Sequence, residues 1–89
     1  MLEEISTILN AMDNSQDIDI FLTQLLTPTE QSMIQRRWEL VKLLYNGIPQ
    51  REIASKLGMS LCKVTRGAKE LKKEDSIFRQ ILEKTGDVE

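Results

Sequence analysis

Apolar residues recur at intervals of three or four along most of the chain, the spacing that places side chains on one face of an α-helix. The first two such segments contain Leu2, Ile5, Leu9 and Met12, then Ile18, Phe21, Leu22, Leu25 and Leu26. No segment alternates at period two for long enough to predict a strand, and no repeat or linker divides the chain. The pattern predicts an all-α domain of six helices.

The third predicted helix has the best defined ends. Thr27 and Glu30 match a capping box, and Pro28 takes the first helical position, where its missing N–H costs nothing. Gly47 supplies a left-handed residue after a last turn near Asn46. The apolar positions between these ends are Met33, Ile34, Trp38, Leu40, Val41, Leu44 and Tyr45. So broad an apolar surface predicts a buried central helix whose aromatic residues belong to the core.

Two short amphipathic helices joined at Gly58 follow between Pro49 and Lys73, the second capped by Ser60. The predicted contact between them contains Ile53, Ala54, Leu57, Met59, Leu61 and Val64, and Ala68 and Leu71 also face inward on the second helix. The outward side of the second helix holds Cys62, Lys63, Arg66, Lys69 and Lys73. A tight turn, a small residue at the crossing and a cationic outer face are typical of a helix-turn-helix DNA reader. We favour this interpretation over an ordinary hairpin kept soluble by its lysines.

The sixth predicted helix begins near Asp75 or Ser76 and ends by Gly86. With 89 residues the chain is one domain at most, small enough that a monomer would be marginally stable. Dimerisation would relieve this.

The distribution of charge along the chain favours a nucleic-acid partner, although the total net charge of -2 does not. Residues 1–35 contain six acids and no Lys or Arg, which gives a net charge of -6. Residues 36–73 contain ten basic and three acidic residues, a net charge of +7, and residues 74–89 have a net charge of -3. Only the middle segment has the charge that phosphate binding needs.

The composition argues against several other classes of protein. There is no histidine, one cysteine and no glycine-rich phosphate loop, so we expect no enzyme, no metal site and no cofactor. Cys62 has no intrachain partner, and the N-terminus lacks the pattern of an export signal. No apolar stretch approaches the roughly 20 residues that span a bilayer. We therefore expect a cytoplasmic protein with no membrane partner.

Three blocks of the chain carry a family resemblance. They read LLTPTE from Leu25 to Glu30, QREIASKLG from Gln50 to Gly58, and VTRGAKELK from Val64 to Lys72. These blocks resemble the bacterial Trp repressor family over most of residues 20–73. The resemblance implies an intertwined homodimer, with dimerisation helices in residues 1–46, the helix-turn-helix in residues 49–73 and a C-terminal helix in residues 75–86. It also implies L-tryptophan as corepressor and a palindromic operator of tryptophan metabolism genes as the DNA partner.

The resemblance implies a ligand site as well. Arg66 resembles the family arginine that binds the ligand carboxylate and covers one face of the indole, and Arg37 resembles the arginine on the other face. Thr27 and the carbonyls of Gln24 and Leu26 resemble the contribution of the partner subunit. Gly67 is expected to leave room beside the ligand. The simpler alternative is that Gly67 is merely tolerated in its helix and that both arginines are surface charges.

Glu70 departs from the family pattern, which has a serine at this position to help hold the ligand ammonium. Two outcomes stay open. The Glu70 carboxylate can accept a charge-assisted bond from the ammonium, or it can pair with Arg66 at i and i+4 and occupy the ligand site. The second outcome would give a regulator that responds to another ligand or to none.

For DNA contact, Arg51 resembles a family residue that reaches a guanine, a pairing that suits arginine in the major groove. Leu61, Cys62 and Thr65 are expected near base edges, and Cys62 is interpreted as a contact residue rather than a redox sensor. The residues expected at phosphates are Gln50, Lys63, Lys69 and Lys72. A ligand-modulated repressor is thus the leading hypothesis. The rival is a helical protein-interaction module whose basic stretch meets an acidic partner.

Overall fold

The computed structural model describes residues 1–74 and 76–85, and every regular element in them is a helix. The helices are α1 (Glu3–Ala11), α2 (Ser15–Leu25), α3 (Pro28–Tyr45), α4 (Gln50–Leu57), α5 (Leu61–Lys72) and α6 (Ile77–Thr85). The predicted all-α class and the six helices are confirmed. The start of the last helix predicted at Asp75 and its end at Gly86 lie outside the described residues.

The predicted capping residues begin the helices where they were expected. In the capping box, the Thr27 N–H donates to Glu30 Oε1 at 2.9 Å, and the Glu30 N–H donates to Thr27 Oγ1 at 3.2 Å. Asn14 caps α2 through its side-chain oxygen, and Ser60 Oγ accepts the N–H of Lys63 at 3.3 Å. Each bond satisfies an N–H that has no partner within its helix.

Glycines end α3 and α4. Gly47 has φ +83° and Gly58 has φ +64°, both in the left-handed region that side chains with a Cβ rarely adopt. The N–H of Met59 then donates to the carbonyl of Ala54 at 3.0 Å, which closes the turn into α5. The turn predicted at Gly58 is therefore confirmed in its position and its conformation.

The chain divides into two units, residues 1–33 and 34–89. In the first unit, the side-chain amide of Gln31 donates to the carbonyls of Thr23 and Leu26, so it joins the start of α3 to the end of α2. All of α1 and α2 is described, and neither helix contains a buried residue. The apolar faces predicted for these helices are thus present, but the first unit alone does not bury them.

The second unit has a core built from three helices. Leu40 of α3, Ile53 of α4 and Val64 of α5 form its buried cluster, and Ile53 and Val64 have no exposed surface. Half-buried residues packed against this cluster are Leu43, Leu44, Ile48, Ala54, Leu57 and Met59. The helix-turn-helix is therefore held on the second half of α3 by a shared apolar core.

Two predictions about burial are corrected. In α3, Leu40 and Val41 are buried but Ile34 is 52% exposed, so the predicted buried central helix is buried only in its second half. Leu61 was predicted to face inward, yet it is 44% exposed. Met59 in the turn, predicted for the same contact, is half-buried and does pack against the cluster.

We predict that Ile53→Ala lowers the free energy of unfolding by about 2–5 kcal/mol, because it leaves a cavity at the centre of this core. Ile53→Val removes one methylene from the same place and should cost about 0.5–1.5 kcal/mol. Urea unfolding at fixed protein concentration, followed by circular dichroism, measures both. Equal midpoints for the two variants would contradict the assignment of Ile53 to the core.

Candidate ligand pocket and nucleic-acid interface

An open cavity of about 390 Å³ lies in the second unit, between α3 and α5, with α6 beside it. It is called the pocket below. Its lining residues are Ile34, Arg37, Trp38, Leu40, Val41, Met59, Lys63, Arg66, Gly67, Glu70 and Phe78. The rings of Trp38 and Phe78 meet edge to face, with centroids 6.2 Å apart. Apolar and aromatic walls with a few charged groups are typical of a small-molecule site, and the volume suits a ligand of drug-like size.

Charged side chains of two helices border the pocket. Arg37 comes from α3, and Lys63 and Arg66 come from α5. Lys63 and Arg66 are three residues apart, so they share one face of their helix. Among the described residues that line the pocket, Glu70 is the one acid. The pocket can therefore hold an anionic group against its cations while an apolar part of the ligand lies against the aromatic wall.

A second concavity lies along α5. This α5 groove has a volume of about 420 Å³ and is lined by Leu61, Cys62, Thr65, Arg66 and Lys69. Four of these residues were predicted to contact DNA, and Cys62 among them is an exposed free thiol. Arg66 borders both the α5 groove and the pocket. A ligand held by Arg66 would thus lie directly behind the predicted DNA-contact face.

A hydrogen bond joins two predicted DNA-contact residues across the helix-turn-helix. The hydroxyl of Thr65 in α5 donates to Oε1 of Gln50, the first residue of α4, at 3.0 Å. Because the Gln50 oxygen is held in this way, the N–H groups of its amide remain for another partner. The bond therefore fixes how the start of α4 is presented beside α5.

The cations predicted to meet DNA are exposed and have no acidic partner among the described residues: Arg51, Lys63, Lys69 and Lys72. The first turn of α5 contains no acid either, so no side chain of that turn neutralises the positive end of the helix dipole. Backbone N–H groups at a helix start and nearby lysines both favour phosphate. This surface therefore has the charge that a DNA backbone needs.

The family model described as Trp repressor protein matches residues 1–86. The chain belongs to the Trp repressor family. It is 37% identical to a Trp operon repressor homolog of Xylella fastidiosa over 83 residues, which cover 92% of this chain and 88% of that protein. A Trp operon repressor homolog of Chlamydia trachomatis is 30% identical over 88% of this chain and 84% of that protein. One of Vibrio parahaemolyticus is also 30% identical, over 90% of this chain and 79% of that protein.

No solved structure matches the chain significantly.

The Trp repressor family consists of regulatory DNA-binding proteins, so this chain is a repressor-type regulator with a helix-turn-helix. In the described residues, no helix is long and apolar enough to cross a membrane.

Of the ligand residues that the Trp repressor resemblance implies, Arg37, Arg66, Gly67 and Glu70 all line the pocket. A Cβ built on Gly67 would lie 3.1 Å from Leu40 Cδ2 and 3.4 Å from Leu44 Cδ1. The space beside Gly67 is thus used by α3. The glycine, which costs about 1 kcal/mol inside a helix, lets α5 approach α3 closely.

Glu70 does not pair with Arg66. Its Oε2 lies 2.5 Å from Nζ of Lys73, three residues on, at the end of α5. The predicted alternative, an ion pair between Glu70 and Arg66 that occupies the ligand site, is therefore not formed. Arg66 is left available to an anion.

Gln24, Leu26 and Thr27 belong to the first unit, and their contact with ligand stays a prediction. The Leu26 carbonyl accepts the amide of Gln31 at 3.0 Å, and Thr27 Oγ1 accepts one backbone N–H but retains its own proton. The i+4 partner of the Gln24 carbonyl would be Pro28, which has no N–H. All three groups therefore keep some hydrogen-bonding capacity.

The sequence interpretation missed the walls of the pocket and the position of Lys63. Trp38 was assigned to the core, although it is half-buried and lines the pocket with Phe78. Lys63 was assigned to phosphate alone. Its spacing of three residues from Arg66 would have placed it on the same side of α5.

We predict that Thr65→Val weakens DNA binding about fivefold, since it removes the hydroxyl that orients Gln50 and a hydrogen bond of this kind contributes about 1 kcal/mol. Thr65→Ser keeps the hydroxyl and should bind within about twofold of the original chain, by the same reasoning. Fluorescence anisotropy with a labelled duplex at low salt gives both values, and urea unfolding serves as the control for stability. Equal affinities for Thr65→Val and the original chain would refute a positioning role.

Proposed function

We propose that this chain is a tryptophan-dependent repressor that binds, as a homodimer, a palindromic operator of tryptophan metabolism genes. The observation that carries the proposal is the position of Arg66. This residue borders the pocket on one side and the α5 groove on the other. A ligand that orders Arg66 changes the surface offered to DNA, so binding of ligand and binding of operator are linked.

L-tryptophan suits the chemistry of the pocket. Its carboxylate finds a planar, bidentate partner in Arg66, and its indole can stack on the guanidinium planes of Arg37 and Arg66. Trp38 and Phe78 supply an aromatic wall. In this proposal, the partner subunit's Thr27 and the carbonyls of the partner subunit's Gln24 and Leu26 complete the site.

The first unit favours a dimer. Neither of its helices before α3 contains a buried residue, and Leu2 ahead of α1 and Ile20 and Leu25 of α2 are 65%, 46% and 51% exposed. Apolar side chains left exposed in this way mark an association surface. A second copy of the chain would cover them, and two-fold symmetry in the protein would match two-fold symmetry in the operator.

DNA recognition would divide between two kinds of contact. Arg51 at the start of α4 and the α5 groove residues Leu61, Cys62 and Thr65 would meet base edges. The phosphate contacts would come from Gln50, Lys63, Lys69 and Lys72. L-tryptophan in the pocket would hold α5, and with it both kinds of contact, at one distance from the second copy.

The proposal predicts an operator that selection from a random duplex library recovers as a palindrome in the presence of L-tryptophan. Affinity for that duplex should rise at least tenfold with L-tryptophan, a coupling of about 1.4 kcal/mol. It should fall steeply with added salt, because phosphate contacts release counterions. Binding that ignores L-tryptophan would refute the corepressor, and no duplex binding at low salt would refute the DNA partner.

Two arginine variants should separate the ligand site from the DNA site. Arg37→Ala changes the pocket and should weaken L-tryptophan binding about tenfold, as expected when a stacked guanidinium is lost from a partly desolvated site. Arg51→Ala should leave L-tryptophan affinity unchanged and weaken operator binding about fivefold or more, because a bidentate contact to guanine contributes roughly 1–3 kcal/mol. Calorimetry measures the ligand and anisotropy the duplex. The reverse pattern would show that the two sites are wrongly assigned.

A further inference from the structure

Arg36 links α3 to the end of α4. Its guanidinium donates from Nη1 to the carbonyl oxygen of Leu57, the last residue of α4, at 3.4 Å. The last four carbonyls of a helix have no N–H partner within it, and they lie at the negative end of the helix dipole. A cation that donates to one of them satisfies that carbonyl and is attracted to the helix end. Arg36 therefore caps α4 from another helix.

The bond between Arg36 and Leu57 connects two parts of the second unit that also form walls of the pocket. Arg36 precedes Arg37, which lines the pocket from α3, and Leu57 lies just before the turn that contributes Met59 to the lining. Neither Arg36 nor Leu57 lines the pocket itself. The bond therefore ties α3 to the turn that leads into α5, and it does so from outside the pocket.

This bond adds direction to a contact that is otherwise apolar. The buried cluster that holds the helix-turn-helix on α3 consists of Leu40, Ile53 and Val64. Burial of apolar surface is non-directional, whereas a hydrogen bond depends on distance and angle. No acid among the described residues forms an ion pair with Arg36. Its guanidinium is therefore available to fix the orientation of α4 on α3.

We propose that Arg36 is a positioning residue that holds the helix-turn-helix on α3 in its DNA-binding arrangement before ligand binds. A ligand that contacts Arg37 on α3 and Arg66 on α5 would hold the same parts together by separate contacts. If only a fraction of the molecules has this arrangement, the apparent affinities for DNA and for ligand both fall by that fraction. Arg36 therefore raises both affinities, although it lines neither the pocket nor the α5 groove. This inference rests on the proposed function, since it concerns the coupling between the same two sites.

Arg36→Met tests the proposal, because it keeps the length of the side chain and removes its donors and its charge. Without L-tryptophan, the variant should bind the palindromic duplex selected by the original chain about threefold more weakly, as expected for the loss of one hydrogen bond. With saturating L-tryptophan, the two proteins should agree within about 1.5-fold, because the ligand then holds the arrangement. Calorimetry without DNA should show L-tryptophan binding about threefold weaker in the variant.

Lys56→Met is the matched control. Lys56 is an exposed cation in the last turn of α4, directly before Leu57, and it does not line the pocket. This variant should bind L-tryptophan as the original chain does. Any loss of DNA affinity should be the same with and without L-tryptophan, since it would come from charge alone.

Two results would overturn the role of Arg36 while the proposed function stands. One is an Arg36→Met variant that binds L-tryptophan as tightly as the original chain does. The other is an Arg36→Met variant that loses DNA affinity by the same factor with and without L-tryptophan, as a lost phosphate contact would. If the original chain binds no L-tryptophan, or no duplex, the proposed function and this inference both fail.

Discussion

The close approach of α5 to α3 at Gly67 is the constraint on which the second unit depends. The absent side chain at this position lets the backbone of α5 lie against Leu40 and Leu44. Leu40 in turn belongs to the buried cluster with Val64 of the same helix. Gly67 and Val64, about one helical turn apart, therefore hold α5 against α3. The positions of all its other side chains follow from that seating.

Because α5 is seated in this way, one helix serves three surfaces. Val64 and Ala68 face the core, Arg66 and Glu70 reach the pocket, and Cys62 and Thr65 line the α5 groove. All six residues lie between Cys62 and Glu70, a span of about two helical turns. A small displacement of α5 against α3 would alter the pocket and the groove together. Because one helix contributes to all three surfaces, a chain of this length can combine a ligand site with a DNA-contact face.

Features that depend on neighbours in sequence could be predicted, and those that depend on packing between helices could not. Capping by Thr27 and Ser60 and the left-handed turn at Gly58 depend on a few adjacent residues. The pairing of Glu70 depends on which of two cations, three or four residues away, its carboxylate reaches, and spacing alone permits either. Leu61 was misplaced because its spacing of three from Val64 fits the inward face, whereas at the first position of α5 it lies beyond the edge of the core and is 44% exposed.

The hydrogen bond from Thr65 to Gln50 determines which donors and acceptors these two side chains present to DNA. The bond occupies one of the two lone pairs of the Gln50 oxygen and leaves both N–H groups of its amide to donate elsewhere. Phosphate oxygens and the O6 and N7 atoms of guanine can accept from these N–H groups. The Thr65 hydroxyl gives its one proton to this bond, so toward DNA it can only accept, and the methyl group beside it can meet a thymine methyl. A single intramolecular bond thus presents the donors of one side chain next to an acceptor and an apolar group of the other.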